Sequence, residues 1–350
     1  MVKNLMRAIL LIAFIPTLAY STASLNVTTG VGGAVGAAAD AALNEEINKQ
    51  FQVPSMTGFL TSMANAQAIT NKGQGVSYAT DHSLFVIGGN LGAGLNTTSG
   101  FDFNSSGGLP PIGLGVQGSI MAGLSLSKFP VPKIGPIDLK KLTVFVNFFS
   151  YSNDSLVDSL TIKTSNFGMH AQYKVIDGKN VGGLGLLNWG GVAFTTGFDT
   201  GSNTMTYKVG QSISATSSGV TYKWTPSAGS NLELQNTSFT IPLEVSTSVR
   251  VLYILSLFGG AGVDLNFGGK STISANLTGP VTNSANASQG SGTLTLAENQ
   301  GPNFGALRFF AGPQLNLVPL KNTNLLSLYA QGNYSTGGNY GVHAGLRIAW

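Results

Sequence analysis

Polar side chains return to one face of this chain, strand after strand, from residue 112 to the end. In IGLGVQGSIMAGLSLS, Leu114, Val116, Ile120, Ala122 and Leu124 share one side, and Gln117, Ser119 and Ser125 share the other. SNFGMHAQYKVI sets Phe167, Met169, Ala171, Tyr173 and Val175 against Asn166, His170, Gln172 and Lys174. TSFTIPLEVSTSVRV sets Phe239, Ile241, Leu243, Val245, Val249 and Val251 against Ser238, Thr240, Glu244, Ser246, Ser248 and Arg250. A period of two is the pleat of a β-strand. The same alternation runs through LSLFGGAGVDLNF, LRFFAGPQLNL and LLSLYAQGNY. A sheet with a lipid-facing outside and a wet inside demands this pattern, and a soluble barrel inverts it.

Composition agrees. Charged residues make up 9% of the chain, against about 25% in ordinary soluble domains. Glycines number 47 and there is no cysteine, so backbone pairing and packing must carry the stability. After the first residues, no apolar run is long enough for a membrane helix. The fold expected is an all-β, transmembrane, antiparallel up-and-down barrel with a short helical N-terminal segment.

The start of the chain gives its address. MVKNLMRAILLIAFIPTLAYSTAS has a basic start, a short apolar run and small residues at cleavage spacing. This predicts a signal peptide over 1–23. Without Lys3 and Arg7, 16 basic residues face 14 acidic ones, a balance of +2. The basic residues are scattered, which argues against nucleic acid. Residues 24–73 are expected to form a helical plug or periplasmic segment, and 74–350 the barrel. GVGGAVGAAADAALNEEINKQF predicts a helix from about Val35 to Phe51, with Ala38, Ala41 and Ala42 on its apolar side. Pro54 opens a second short helix, with Phe59, Leu60 and Met63 on one face.

Ten strands are read near 83–96, 112–126, 142–151, 160–176, 186–199, 237–250, 254–267, 304–317, 324–334 and 339–350. Two further strand-like pairs lie in 200–236 and 268–303. As outer hairpins or wall strands, they bring the expectation to about twelve strands, within about ten to fourteen. Long and short connections alternate, except that SKFPVPKIGPIDLKK at 127–141 is long where a short turn is expected. The first strand then rises from the periplasm, with the helical segment waiting there.

Chemistry is sparse. His82, His170 and His343 lack metal-ligand spacing, and no G-x-S-x-G elbow is present. No enzyme, metal or cofactor is expected. The glycines of GNLGAGLN and GGAGVDLNFGG sit inside strands and are read as relieving crowding where a barrel bends. By parity Lys174, Glu244, Arg250, Asp264, Arg308, Arg347, His170 and His343 line the lumen.

The final residues resemble the ending of Gram-negative outer-membrane β-barrel proteins, an assembly signal that His343, Gly345, Ile348 and Trp350 match in spacing; the usual last residue there is Phe. The resemblance implies insertion into the outer membrane by the barrel-assembly machinery. A helical segment ahead of a mid-sized barrel is also similar to the long-chain fatty-acid transporter family, whose N-terminal hatch plugs a fourteen-stranded barrel. That family's Asn-Pro-Ala motif is missing from SMANAQAITNKGQGVSYATDHSLFVIGG. The function expected is an outer-membrane channel for small or hydrophobic solutes, gated by residues 31–70. The alternative is a structural or adhesive surface barrel working through its long outer segments.

Overall fold

The computed structural model describes residues 22–28, 34–51, 53–79, 84–97, 112–130, 133–157, 160–181, 186–319 and 324–350. The signal segment up to residue 21 and His82 lie outside them. The order of elements is β1 (Thr22–Thr28), α1 (Ala34–Phe51), α2 (Val53–Thr70), β2 (Phe85–Thr97), β3 (Ile112–Ser125), β4 (Lys133–Ile134) and β5 (Ile137–Asp138). Then come β6 (Leu142–Val157), β7 (Leu160–Val181), β8 (Leu187–Lys208), β9 (Ile213–Ser217), β10 (Val220–Trp224), β11 (Asn231–Val251) and β12 (Leu255–Asn266). The chain ends with β13 (Lys270–Asn283), β14 (Ser288–Gln300), β15 (Gly305–Pro319), β16 (Asn324–Ser335) and β17 (Asn339–Ala349).

Alternating residues make strands, and the strands close on themselves. The antiparallel order is β2, β3, β6, β7, β8, β11, β12, β15, β16, β17, and β17 pairs back onto β2 from Asn339↔Asn96 to Ala349↔Val86. Closure removes every edge from the wall. Among the described residues the ring therefore has ten strands, the lower end of the expected range of ten to fourteen, and not the fourteen of the transporter resemblance. The extra pairs leave the ring at its rim and do not widen it.

Exposure follows the predicted parity. Leu91, Val116, Phe148, Val245, Leu257 and Val342 stand outward and exposed. Their neighbours Asn90, Gln117, Asn147, Glu244, Ser256 and His343 are buried inside. An apolar belt of this extent around a polar interior is the surface of a barrel in lipid, and the protein is an outer-membrane barrel. No described helix is long and apolar enough to cross a membrane.

The last residue completes the seam. Trp350 N–H donates to the Phe85 carbonyl at 3.0 Å, and the Leu84 and Phe85 N–H groups both donate to the Trp350 carbonyl at 2.9 Å. The two rings meet at 5.7 Å between centroids.

At the end opposite Trp350, β7 and β8 run for 22 residues each and β11 for 21, about twice what a membrane crossing needs. The upper part of β11, Leu232–Thr237, pairs with β13 instead of β12. The chain bends between β12 and β13 at Gly268, whose φ of 64° suits glycine. Above that bend β13 and β14 pair, β1 adds to β14, β10 adds to β13, and β9 adds to β10. With α1 and the first half of α2 they form a cap.

The cap has a core of the soluble kind: Leu43, Ile47, Met56, Leu60, Tyr222, Trp224, Leu277 and Leu296 are buried together. The same inward parity of β13 carries polar Ser271 and then apolar Ile273, Ala275 and Leu277. Polarity inverts where the barrel ends and the cap begins. The buried stripe of α1 is Ala39, Leu43 and Ile47, at i, i+4, i+8, not the predicted Ala38, Ala41 and Ala42. The helices also stand at the opposite end from the one expected, beside the long outer connections and far from Trp350.

Residues 126–130 and 133–141 form a folded excursion at the Trp350 end. Two 3-10 turns, Leu126–Lys128 and Leu139–Lys141, flank the β4–β5 hairpin. Asp138 accepts from the Lys140 N–H at 3.1 Å, and its own N–H donates to Tyr173 Oη at 3.3 Å.

Candidate functional site: an occupied lumen

The barrel interior is filled by the chain itself. α2 enters from the cap end, and the segment 71–79 continues to the Trp350 end, where β2 begins. Every residue from Ser62 to Ala79 is buried. The lumenal stretch thus starts within α2 and passes the predicted boundary at residue 73. The gate expected over 31–70 coincides with it only at 62–70.

Glycines admit the helix. A Cβ at Gly113 would collide with the Ser62 carbonyl, and one at Gly94 with Thr70 Oγ1 and the Ala66 carbonyl. Gly92 and Gly94 of GNLGAGLN therefore clear a seat for the lumenal segment, at Gln74 and at Ala66 and Thr70, which is a different reason from the crowding relief read in the sequence; a Cβ at Gly89 would meet nothing. Gly113→Leu should unseat α2. Trypsin should then cut folded protein after Lys72, which is 1% exposed; unchanged resistance at that bond would refute the seat.

Polar contacts run the length of the segment. Near the cap, Asn303 N–H donates to Asn65 Oδ1 at 2.9 Å, and Asn71 Nδ2 donates to Ser238 Oγ at 3.0 Å. Gln67 joins Gln117 and Asn203. Midway, Lys72 Nζ lies 3.5 Å from Asp199 Oδ2, which His170 Nε2 also meets at 3.3 Å. Gln74 Nε2 lies 3.3 Å from His343 Nδ1, and Asn90 Nδ2 donates to the Gln74 carbonyl at 2.9 Å.

Toward the Trp350 end, Arg347 Nη2 donates to the Val76 carbonyl at 2.8 Å, and Tyr78 Oη donates to Glu244 Oε2 at 2.6 Å. Val76, Tyr78 and Ala79 also pack on Val86, Met121, Phe145, Phe258, Phe310 and Tyr329. Together these side chains form an apolar plate toward the Trp350 end of the lumen.

The residues placed inward by parity are buried or half-buried, and several meet one another or the segment. Glu244, Asp264 and Arg308 form one cluster. Arg308 Nε donates to Asp264 Oδ2 at 2.8 Å, Nη1 to Asn333 Oδ1 at 3.0 Å, and Nη2 to Glu244. Arg347 stacks on Tyr329 at 3.5 Å and holds the segment's backbone. His343 meets the segment at Gln74, and His170 meets Asp199, the partner of Lys72. Arg250 is buried below them with its guanidinium 5.3 Å from the Tyr253 ring. Lys174 stands half-buried at the mouth. Gly345, Ile348 and Trp350 belong to the closing strand and its end. Among the described residues no His/Cys/Asp/Glu group could hold a metal ion.

Sequence reasoning missed Lys72, Tyr78 and Asp199. Lys72 is the one charge in 62–79, a stretch made mostly of small, amide and hydroxyl residues. A lone charge in such a stretch marks a chain packed among polar groups.

A family model described as Lsa36-like matches residues 22–350. No curated protein matches the chain. Solved structures resemble it slightly. The translocator domain of autotransporter NalP from Neisseria meningitidis is 12% identical, over 81% of this chain and 91% of that one, with a TM-score of 0.30. The transport unit of AIDA-I from Escherichia coli is 9% identical, over 77% and 91%, at 0.28. The toluene transporter TbuX of Ralstonia pickettii is 7% identical, over 79% and 90%, at 0.24. At these scores the barrel rests on its own strand pairings.

Proposed function

The chain belongs to the Lsa36-like family, and from the geometry of its lumen we propose that it is a sealed outer-membrane barrel that displays its cap at the cell surface, a structural or adhesive barrel working through that cap. The burial of every residue from Ser62 to Ala79 inside the ring carries this reading. A lumen filled with hydrogen-bonded chain over an apolar plate is a brace. The short connection 252–254 lies at the Trp350 end, and the long connections 209–230 and 267–304 lie at the other. Long loops face outward in such barrels, which supports placing the cap outside.

A second reading, the gated channel, has one observation in its favour. The segment is held largely by polar contacts, and buried Asn71 Oδ1, Gln74 Oε1 and Asn147 Oδ1 along it have no partner. Such a seat binds less tightly than a satisfied one.

Planar bilayers separate the two. The full chain should be silent, and so should Lys72→Gln/Tyr78→Phe. Stepwise conductance in the double variant alone would favour the channel; conductance in the full chain would overturn the seal. An epitope inserted at the Ser218–Gly219 turn should be labelled on intact cells. Labelling only after permeabilisation would overturn the display.

A further inference from the structure

The excursion after β3 leaves the wall at the edge of the membrane. Ser125 N–H donates to the Leu84 carbonyl at 2.8 Å, beside the Phe85–Trp350 ring pair. Both rings are exposed and share the outward parity of Ile87 and Ile348. Aromatic residues in such positions mark the boundary between hydrocarbon and headgroups. The excursion therefore begins at headgroup depth.

Its base is pinned to the lipid side of the wall. Tyr173 shares the parity of Phe167 and Met169, which stand outward and exposed. The Asp138 N–H donates to Tyr173 Oη at 3.3 Å. Lys141 Nζ, 2.7 Å from Asp177 Oδ2, ties the end of the excursion to β7 as well. The β4–β5 hairpin projects from these ties, with Ile134 and Ile137 paired across its tip.

The side chains it presents are of two kinds. Ile134, Ile137 and Phe129 are 61%, 49% and 38% exposed. Apolar side chains of this size gain by entering an apolar phase, and one lies alongside. Around them stand Lys128, Lys133, Lys140 and Lys141, against one acidic residue in the excursion, Asp138. Lys133 lies 3.9 Å from Asp138, and Lys141 is held by Asp177. Lys128 and Lys140 are exposed and form no ion pair among the described residues. Apolar residues flanked by lysines at headgroup depth make an interfacial anchor, and the charge selects anionic lipid.

We infer that this hairpin docks into the phospholipid leaflet at the Trp350 end, with Phe129, Ile134 and Ile137 among the acyl chains and Lys128 and Lys140 on anionic headgroups. That the leaflet is the periplasmic one rests on the cap facing outward; the docking itself does not. The long connection at the short-turn end is then a foot on the membrane.

The chain has no cysteine, so Pro136→Cys at the hairpin tip accepts a single nitrobenzoxadiazole probe. The full chain is placed in phosphatidylglycerol or phosphatidylcholine nanodiscs, each doped with a lipid spin-labelled high on its acyl chain. Quenching of the probe is expected, and more of it in phosphatidylglycerol. Lys128→Gln/Lys140→Gln should lower the ratio of docked to free probe about fivefold for each lysine in phosphatidylglycerol, and leave it unchanged in phosphatidylcholine. Ile134→Asn/Ile137→Asn should lower it in both. A probe on Ser284→Cys, in the exposed β13–β14 turn of the cap, should stay unquenched. Unchanged heat-dependent gel mobility shows that each variant is folded. A nanodisc has no inside or outside, so the epitope test of display can fail while this one succeeds. No quenching at the hairpin tip, equal quenching in the two lipids, or quenching indifferent to the lysine change overturns the proposal.

Discussion

Arg308→Met should cost about 3–5 kcal/mol of barrel stability, because it leaves two buried carboxylates with little to neutralise them. Arg308 is fully buried, and its guanidinium spans Asp264, Asn333 and Glu244. Once it is gone, Glu244 keeps its hydrogen bond from Tyr78, and Asp264 loses its one ion pair. The urea midpoint of the heat-modifiable gel species should fall accordingly. The triple change Arg308→Met/Glu244→Gln/Asp264→Asn should recover most of the loss, because it removes the charges along with their partner. A single variant as stable as the parent would show that the cluster is solvated and that the lumen is wetter than its packing implies.

Trp224→Ala should cost a similar amount, about 3–5 kcal/mol, but in the cap alone. Trp224 is fully buried, packs between α1, α2 and the β13–β14 hairpin, and donates from Nε1 to the Gly292 carbonyl at 3.0 Å. Removing it empties the middle of a core small enough to have little else to lean on. Limited proteolysis should then cut within 209–230, while the ring keeps its resistance and its folded gel mobility. If the ring fails together with the cap, the two are one cooperative unit; if the cap resists as before, its core is not what holds it.

The wall of this protein could be read from the chain because strand parity is a local property. All ten strand positions reappear, β3 and β7 starting at the residues expected, and the outward side chains are those of the apolar half of each alternation. Parity says which way a side chain points and nothing about what it meets. Ile273 and Leu277 alternate just as Leu255 and Leu257 do, yet one pair faces the inside of a cap and the other faces lipid. A plug was among the expectations, but which residues would fill the lumen and what they would meet was hidden for the same reason. Gln67, Lys72 and Tyr78 find partners 127 to 166 residues away, apart from Gln67's bond to Gln117, and no local period encodes such pairings. The seat glycines could be seen, but their purpose required the helix beside them. The buried stripe of α1 was misplaced because a run of alanines looks apolar on every side, and Leu43 and Ile47 decide it.

The path of the lumenal segment constrains how the molecule can be assembled. Its N-terminal end is knitted into a cap made also from the barrel's own outer hairpins, and its C-terminal end is the start of β2. A head of that size cannot be drawn through a ten-stranded ring, whose interior side chains alone nearly fill. The chain is therefore a bolt with its head at the cap end, and the ring is the nut. The two can be joined only while the nut is split. The split is the β17–β2 seam, the pairing between the two ends of the wall. β1, α1 and the first half of α2 must pass to the cap side before Trp350 reaches Phe85 and locks them there.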